Sequence, residues 1–361
     1  MEIEDLKILH IAPTNTSGVP GQFVASEQHL GYYSRLVTLF RDPRGYQEDI
    51  CLGLPFIDFS GTKMLKKLVS DPARLAVDNI GKAPASIPVT WQPHSAAEKI
   101  LVKFRDWLWQ FKVEKAIRKF KLDTYDVYQL DGGLDFYRHA GFIKRMHAAG
   151  KKVICCYTGS DLRTRGVIPA IDQLSDLNVT VEFDHIKLHP NIHHVFFPFN
   201  VSRFQAISQN NKKLRIGHAP TNRKAKGSDI IIPVIKNLAR ENSNVEAVII
   251  QNLPYSLAID TKQTCDIFVD QIGDLGYGIN SLESLAMGIP TCSCLAPGFA
   301  EMYPDHPFVV VDAENLKNEL QRLIDNPDLR RELGEKGREW VSKYHDAGQI
   351  VKQIHQLAGI V

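Results

Sequence analysis

The sequence predicts an α/β protein of two doubly wound, Rossmann-like parallel sheets that face each other across a cleft. Short apolar runs typical of buried strands alternate with helix-like segments in two successive series along the 361 residues. Between the series, residues 198–213 lose apolar periodicity and become polar, which indicates a linker. The length is ample for two domains. We expect a first domain over residues 1–200, a second over 201–345, and a helix over 346–361 that returns to the first.

The first series opens with a buried strand over residues 6–12 and the glycine-containing loop TNTSGVPGQ. A helix over residues 23–33 and a strand over 34–40 complete a βαβ unit. A helix that ends on Gly150 separates two of the later strands. These later strands are predicted over residues 127–130, 152–157 and 194–199.

The second series follows the linker with the same alternation. Its strands are predicted over residues 214–218, 245–251, 266–270, 290–295 and 308–311. Its helices are predicted over residues 229–240, 255–262, 313–325 and 328–344, and a short helix follows its third strand. No internal repeat is visible, which argues against a solenoid.

The composition excludes several classes of protein. The net charge of +2 provides no overall basic field, so we expect no nucleic-acid partner. The N-terminal MEIEDLKILHIAP has the character of neither a signal peptide nor a membrane span, and no apolar run approaches the roughly 20 residues that a spanning helix needs. The six cysteines form no C-x-x-C pair and favour a reducing, cytoplasmic location.

Residues 274–291, DLGYGINSLESLAMGIPT, are the most informative stretch of the chain. Gly276 and Gly278 allow a ligand phosphate to approach backbone N–H groups, and the N-terminus of the following helix points at the same place. Glu283 lies within one turn of this anion site, where a nucleotide ribose would fit. The same residues also fit a capping box, with Asn280 as the N-cap and Glu283 reaching back to it.

The C-terminal half resembles a known family. The motif G-Y-G-x-x-x-L-E-S-L-A-M-G-I-P-T, followed by ENLKNELQRLIDNPDLRRELGEKGREWVSKY, is similar to the retaining glycosyltransferases of family 4, which have the GT-B fold. The order of elements fits that fold over the whole chain. The resemblance implies a nucleotide-diphosphate sugar donor bound mainly to the C-terminal domain and an acceptor bound mainly to the N-terminal one. It implies neither a cofactor nor a metal.

The resemblance also assigns residues to the donor. Glu283 would hold the ribose, and the loop of Gly276, Tyr277 and Gly278 would contact the phosphates and the sugar. At the start of the following helix, Asn280 and Ser281 would line the same site.

A basic pair that neutralises the diphosphate falls after the first strand of the second domain. Lys226, followed by Gly227, matches the family's lysine-glycine, whereas the family's arginine falls on Thr221. Arg223 is two residues away and could supply the missing guanidinium, with Asn222 beside it as a further substrate contact. We assign Arg223 and Lys226 a catalytic role, because cations stabilise the charge on a departing phosphate. The alternative is a solvated basic turn before a helix.

In the N-terminal domain, Gly18 and Gly21 lie in the loop after the first strand, where the family brings backbone amides toward the donor phosphate and the acceptor. Asp161 corresponds to the aspartate of the family's H-G-S-D segment, so by position it would face the cleft in a catalytic role. Arg163 and Arg165 follow it closely. The alternatives are a tight turn for the glycines and helix or loop capping for the others.

Two substitutions depart from the family pattern at the sugar-binding end of the site. Leu275 occupies the position of the first of two paired glutamates, although Asp270 or Asp274 could replace that carboxylate from a shifted loop. Thr158, which would line the substrate site, replaces the histidine before G-S-D. These departures keep open a non-catalytic relative that binds a nucleotide sugar, or a sugar-nucleotide epimerase of the same fold. A dinucleotide oxidoreductase is disfavoured, because no G-x-G-x-x-G follows the first strand of either domain.

Two further segments suggest sites. His185, His189, His193 and His194 are close in sequence, but no H-E-x-x-H or cysteine ligand group accompanies them, so we expect no metal site. Residues 98–122 mix basic and aromatic side chains. Such a helix either lies on an anionic membrane surface or packs its aromatic residues into the N-terminal domain.

Together these features predict a cytoplasmic, metal-independent, retaining glycosyltransferase, with peripheral contact at the inner face of a membrane through residues 98–122. It would transfer a hexose-type sugar from a nucleotide-diphosphate donor to a hydroxyl of a glycan or a glycolipid.

Overall fold

The computed structural model describes residues 6–55, 87–93, 95–206, 211–273 and 276–360. The chain divides into two compact units. The N-terminal unit comprises Met1–Pro198 together with Ala347–Val361, and the C-terminal unit comprises Phe199–Asp346. Each unit is built on a parallel sheet, with seven strands in the first and five in the second over the described residues. The α/β class of two parallel sheets is therefore confirmed.

The sheet of the N-terminal unit has the order β3-β2-β1-β4-β5-β6-β7. Because the order reverses between β1 and β4, the carboxyl ends of these two strands form the edge at which doubly wound sheets place their ligands. The strands are β1 (Lys7–Ala12), β2 (Tyr33–Thr38), β3 (Ile50–Cys51), β4 (Val127–Asp131), β5 (Lys152–Tyr157), β6 (Leu177–Thr180) and β7 (His193–His194). The helices are α1 (Val19–His29), α2 (Ala96–Phe120), α3 (Gly141–Ala148) and the short α4 (Pro169–Asp172).

The first helix begins earlier than the sequence predicts. Gly18 adopts a left-handed conformation (φ 73°) as the N-cap of α1, and Pro20 lies in the first turn, where its missing N–H is not needed. Much of the TNTSGVPGQ segment is consequently helix, and Gly21 lies in its first turn. The helix ends at His29, before the predicted end at residue 33.

The predicted strand over residues 194–199 is wrong in extent. Only His193 and His194 pair with β6. Pro198 has no N–H to donate, so the ladder cannot continue through it. The strands β3 and β6 were not predicted at all. β3 has only two residues, and β6 alternates apolar and polar residues over only four positions.

A buried polar cluster joins β1, α1 and the C-terminal helix α12 (Ala347–Leu357). Glu27 is its centre: Oε2 lies 2.9 Å from His10 Nε2, Oε1 lies 3.1 Å from His355 Nε2, and Ser34 Oγ donates to Oε2 at 2.6 Å. Asp131 Oδ2 lies 3.1 Å from the other nitrogen of His10. Burial alone would lower the pKa of His10, but the two carboxylates outweigh it and raise the pKa to about 10. These contacts attach α12 to the N-terminal unit.

The sheet of the C-terminal unit has the order β12-β11-β10-β8-β9, which reverses between β8 and β10. Its strands are β8 (Leu214–His218), β9 (Val245–Ile249), β10 (Ile267–Gln271), β11 (Thr291–Ser293) and β12 (Val309–Val310). Its helices are α5 (Arg223–Lys226), α6 (Ser228–Glu241), α7 (Tyr255–Lys262), α8 (Ile279–Ala286), α9 (Phe299–Met302), α10 (Leu316–Asp325) and α11 (Pro327–Tyr344). The core packs β-strand residues such as Val269 and Cys292 against Ile231 and Leu320 of the helices.

The capping-box prediction is wrong. The helix α8 begins at Ile279, its N-cap is Gly278, and no side chain of the predicted box caps it. Asn280 is already inside the helix, so Glu283 is free of that role. Asp274 and Leu275 lie outside the described residues.

Candidate functional site

The predicted donor residues meet at the carboxyl ends of β8 and β10, where the strand order of the C-terminal unit reverses. The loop after β8 leads into α5, and the loop after β10 leads into α8. Three sequence-distant segments therefore contribute to one edge of the sheet: these two loops and the helix α7.

Lys226 and Asp270 form the inner part of the site. Lys226 Nζ donates to Asp270 Oδ1 at 2.9 Å and also to Gln271 Oε1. The other oxygen of Asp270 accepts hydrogen bonds from the Gly278 N–H at 3.2 Å and from Ser281 Oγ at 2.7 Å. Burial would raise the pKa of Asp270, but the charge of Lys226 and these hydrogen bonds hold it below its usual range. Asp270 is thus a buried carboxylate at the N-terminus of α8.

This arrangement changes what a ligand phosphate would meet. Asp270 already accepts the Gly278 N–H at the N-terminus of α8, so an incoming phosphate needs other hydrogen-bond donors. Lys226 has three N–H donors and spends two of them internally, which leaves one. Arg223 is exposed and reaches Asp229 only at 3.4 Å, so its guanidinium can turn toward an anion. Asn222 accepts the backbone N–H groups of Lys224 and Ala225 and so caps α5, a structural role that the sequence did not predict.

Glu283 is buried and already paired. Its Oε1 accepts a hydrogen bond from the hydroxyl of Tyr255 at 2.9 Å, and its Oε2 accepts a hydrogen bond from Lys262 Nζ. Lys262, itself buried, also donates to Asn280 Oδ1 at 2.7 Å and lies 4.8 Å from the ring centre of Phe268. A carboxylate has about four lone-pair positions, so Glu283 retains capacity for ribose hydroxyls.

Sequence reasoning missed Tyr255 and Lys262. They are the first and last residues of α7, a helix whose bounds were predicted correctly. A lysine in the last turn of a helix is typical of a solvated C-terminus, so nothing local indicated a buried ion pair. The available signal was Glu283 itself. The segment LESLAMG carries no other charged residue, and a carboxylate that is buried there needs a cation as its partner.

The glycine loop divides into two parts. Gly276 has φ 104°, a conformation that favours glycine, and it remains partly accessible. Tyr277 instead turns into the unit: its ring lies 4.6 Å from Phe308, and its hydroxyl is 3.2 Å from His345 Nε2. The structure therefore gives Tyr277 a packing role, because the ring is buried among aromatic residues such as Trp340.

Four expected residues belong to the N-terminal unit. The Gly21 N–H donates to Asn15 Oδ1 at 3.0 Å, and Gly18 caps α1. Asp161 accepts the backbone N–H groups of Thr158, Gly159 and Leu162, at 2.9, 3.0 and 2.7 Å. Both oxygens of Asp161 thus shape the turn after β5, which is the capping role that the sequence left open.

The four histidines do not converge on a ligand site. His185 Nδ1 lies 2.7 Å from Thr180 Oγ1, His189 Nε2 lies 3.1 Å from Asp172, and His194 packs its ring against Phe183. In the described part of the chain, no group of three or more histidine, cysteine or carboxylate residues has the arrangement of a metal site. Nor does any described helix have the length and apolarity to cross a membrane.

Comparison with known proteins agrees with this geometry. Residues 273–356 match the family model described as Glycosyl transferase-like. No curated protein matches the sequence. Residues 273–356 thus resemble a glycosyltransferase domain, and the chain has the GT-B fold. The predicted resemblance to glycosyltransferases is confirmed at this level.

Solved structures share the fold over nearly the whole chain. Sucrose-phosphate synthase from Thermosynechococcus elongatus is 13% identical, with a TM-score of 0.59 and 98% of both chains covered. Spinosyn rhamnosyltransferase SpnG, solved with thymidine diphosphate, is 11% identical, with a TM-score of 0.52 and coverage of 97% of this chain and 100% of its own. A UDP-N-acetylglucosamine 2-epimerase from Listeria monocytogenes, assigned that function putatively, is 11% identical, with a TM-score of 0.52 and coverage of 97% and 94%.

Proposed function

We propose that this protein is a metal-independent, retaining glycosyltransferase that moves a sugar from a nucleotide-diphosphate donor to a hydroxyl of a glycan or a lipid-linked acceptor. The observation that carries the proposal is the placement of Lys226 and Glu283 on either side of the N-terminus of α8, at the strand reversal of the C-terminal sheet. A helix N-terminus at a strand reversal is a favourable place for a phosphate, and there a cation would face the diphosphate and a carboxylate the ribose.

The phosphate end stabilises the leaving group. Breaking the bond between sugar and diphosphate leaves negative charge on the departing oxygen, and a pre-positioned cation lowers the barrier. Lys226 is held in place by Asp270 and Gln271, so little reorganisation is needed when the charge develops. Arg223 would add a mobile guanidinium. The bound thymidine diphosphate of the similar SpnG structure supports a nucleoside diphosphate as the ligand class.

The ribose end uses Glu283. Tyr255 donates its hydroxyl to this carboxylate, as a sugar hydroxyl would. A ribose hydroxyl would replace or join it. Gly276 and Gly278 would border the phosphates and the sugar, with Asn280 and Ser281 supporting the helix start. On the acceptor side we assign Gly18 and Gly21, at the start of α1, and Thr158, after β5, to the substrate. Asp161 shapes the turn that holds Thr158.

The first test is turnover. We expect acceptor-dependent release of free nucleoside diphosphate, undiminished by EDTA, with a product of unchanged anomeric configuration by NMR. Lys226→Met should lower kcat by about 100-fold, whereas Lys224→Met, which removes an exposed lysine from the same short helix, should not. Binding without release would instead identify a non-catalytic relative. A changed sugar still attached to its nucleotide would identify an epimerase.

The second test is nucleotide binding by calorimetry. Glu283→Gln keeps a group that Tyr255 and Lys262 can contact, and it should weaken nucleoside diphosphate binding about tenfold through the lost charged acceptor. Glu283→Ala is a poorer probe, because it leaves the buried Lys262 with neither the carboxylate nor any hydrogen-bond acceptor at this position. Equal affinity in wild type and Glu283→Gln would place the ribose elsewhere.

We also propose that α2 contacts an anionic membrane. Ile100, Phe104, Trp107 and Phe111 are spaced by four, three and four residues, so they form one stripe on the helix, and all four are more than half exposed. The opposite face of α2, which includes Trp109, is buried. The alternative in which these aromatic residues pack into the unit is therefore wrong for three of them.

Charge complementarity selects the partner of this stripe. Lys103, Lys115 and Arg118 flank or extend it on the helical wheel, so apolar side chains at headgroup depth would lie beside cations. A lipid-linked acceptor would suit an enzyme held at such a surface. The expected location is the inner face of a membrane.

A further inference from the structure

Three arginines lie near one another in the N-terminal unit, at the carboxyl edge of its sheet. Arg138 follows β4, Arg165 follows β5, and Arg105 lies on α2. Trp91 lies between two of these segments. Its N–H donates to the carbonyl of Val167, two residues after Arg165, at 2.8 Å. The guanidinium of Arg138 lies 5.2 Å from the ring centre of Trp91.

The guanidinium of Arg138 is not fully paired within the described part of the chain. Its Nη1 atom is buried and, over the described residues, has no hydrogen-bond partner. No carboxylate among those residues forms an ion pair with its side chain, although its backbone N–H donates to Asp106 Oδ2 at 3.0 Å. Burying a guanidinium donor without an acceptor costs free energy, and native proteins generally avoid it.

Arg165 is also without a matched carboxylate. Its Nη2 donates to the Gly132 carbonyl and its Nε to the Gly166 carbonyl, both neutral groups. Asp161 is the nearest source of negative charge, but its oxygens already accept three backbone N–H groups. Over the described residues, Arg105 is the one of the three arginines that forms an ion pair, with Asp106 at 2.7 Å.

Electrostatics agree with this geometry. Burial lowers the pKa of Arg138 most, and repulsion from Arg165 and Arg105 lowers it further, to about 9. The opposing effects of Asp106 and Glu98 are smaller. At Arg138 the repulsion from each neighbouring arginine is larger than the attraction of Asp106 or Glu98. Arg138 and Arg165 both remain partly accessible from solvent.

We propose that Arg138 and Arg165 form a phosphate-binding site for the acceptor substrate. Two guanidinium groups match a dianionic phosphate, since each presents a planar fork of donors to its oxygens. Trp91 fixes the plane of one fork by stacking. The site lies on the unit that the proposed function assigns to the acceptor, and its acceptor role rests on that proposal. The binding of phosphate itself does not.

Calorimetry with inorganic phosphate and with glycerol 3-phosphate tests the site. The full chain carries Lys226→Met throughout, so that the donor phosphate site does not contribute. Adding Arg138→Gln or Arg165→Gln should weaken phosphate binding by tenfold or more. Adding Arg41→Gln, which removes the same charge from an exposed arginine of the same unit, should leave it unchanged. Undetectable phosphate binding, or equal affinity with and without Arg138→Gln, would overturn the proposal.

Thermal unfolding separates a binding role from a structural one. Because Arg138 is a buried charge without a partner, Arg138→Gln should raise the Tm in the absence of phosphate and abolish the rise that phosphate produces. A structural arginine would give a lower Tm on substitution. Arg138→Lys keeps the charge but not the fork, so it should fold normally and bind phosphate with intermediate affinity.

Two arms identify the source of the phosphate. If Arg138→Gln weakens binding of glycerol 3-phosphate but not binding to phosphatidic acid vesicles, the acceptor is a soluble phosphorylated molecule. If Arg138→Gln also weakens binding to the vesicles, the acceptor phosphate is a lipid headgroup. Phosphate binding that depends on Arg138 in a protein without transferase activity would support the site and refute the proposed function. In the protein with Lys226 intact, transfer activity that is unaffected by Arg138→Gln, together with unchanged phosphate affinity, would support the proposed function and refute the site.

Discussion

Glu283 and Lys262 are a buried ion pair in which neither charge reaches water. The pair places the carboxylate at a fixed position beside the start of α8. Tyr255 donates a further hydrogen bond to Glu283, and Asn280 accepts one from Lys262. Such a pair contributes little net stability when intact, but each half is strongly destabilising alone. The proposed nucleotide site is therefore also a structural element of the C-terminal unit.

Lys262→Met should consequently destabilise the protein by about 3–5 kcal/mol, because it leaves the Glu283 charge buried without a partner. Urea unfolding at neutral pH measures this loss. Adding Glu283→Leu to Lys262→Met should recover most of it, whereas Lys236→Met, at an exposed position on α6, should cost almost nothing. A double variant no more stable than Lys262→Met would contradict the pairing.

The same residues show what the sequence can and cannot indicate. Glu283, Lys226 and Gly278 were predicted as site residues because each lies in a short motif whose chemistry is local: a glycine at a helix start, or a lysine after a strand. Lys262 and Tyr255 lie 21 and 28 residues from Glu283 and become its neighbours only when the sheet forms. The ion pair of Lys226 with Asp270, 44 residues away, was missed for the same reason.

At the scale of elements, helices and strands with a clear apolar pattern were predicted within a few residues. β8 and α7 match their predicted bounds. A polar segment precedes β8, and Pro254 immediately precedes α7. β3 was not predicted and β7 was predicted with the wrong extent. Each has only two residues, and a strand of two residues shows no periodicity in its sequence. Which face of α2 is exposed also depends on its packing partners, which the sequence did not specify.

The stripe on α2 leads to a prediction about membranes. Replacing Trp107 and Phe111 with alanine should reduce co-flotation with phosphatidylglycerol vesicles by about tenfold, since each aromatic side chain loses apolar area at the interface. Met302→Ala, which removes an exposed apolar side chain from the C-terminal unit, is the matched control. Flotation that is unchanged by the double substitution, or that does not depend on anionic lipid, would assign the stripe to another partner.

At the scale of the whole molecule, the cluster around Glu27 makes stability depend on pH. The pKa of His10 is raised from 6.5 to about 10, so its contribution is complete below pH 6.5 and is lost as the pH rises through about 10. The pKa of Glu27 is lowered from 4.5 to about 2, against the effect of burial, by His10 and then His355. Its contribution is complete above pH 4.5 and is lost as the pH falls through about 2.

The free energy of unfolding should therefore be highest near pH 4.5–6.5 where this cluster dominates. Urea unfolding between pH 3 and pH 10 measures the profile. Glu27→Gln should flatten the decline on the alkaline side, because His10 then loses one of the two carboxylates that hold its proton. An identical alkaline slope in wild type and Glu27→Gln would show that other groups determine it.

The attachment of α12 to α1 also sets an order for biosynthesis. The ribosome makes β1–β7 first, then residues 199–346, and only afterwards the helix whose His355 meets Glu27. Domains usually fold in the order in which they emerge. Here the C-terminal unit can be completed while α1 still lacks its covering helix. The unit that is started first is finished last, and a nascent chain stalled before residue 347 would present an open α1 surface to chaperones.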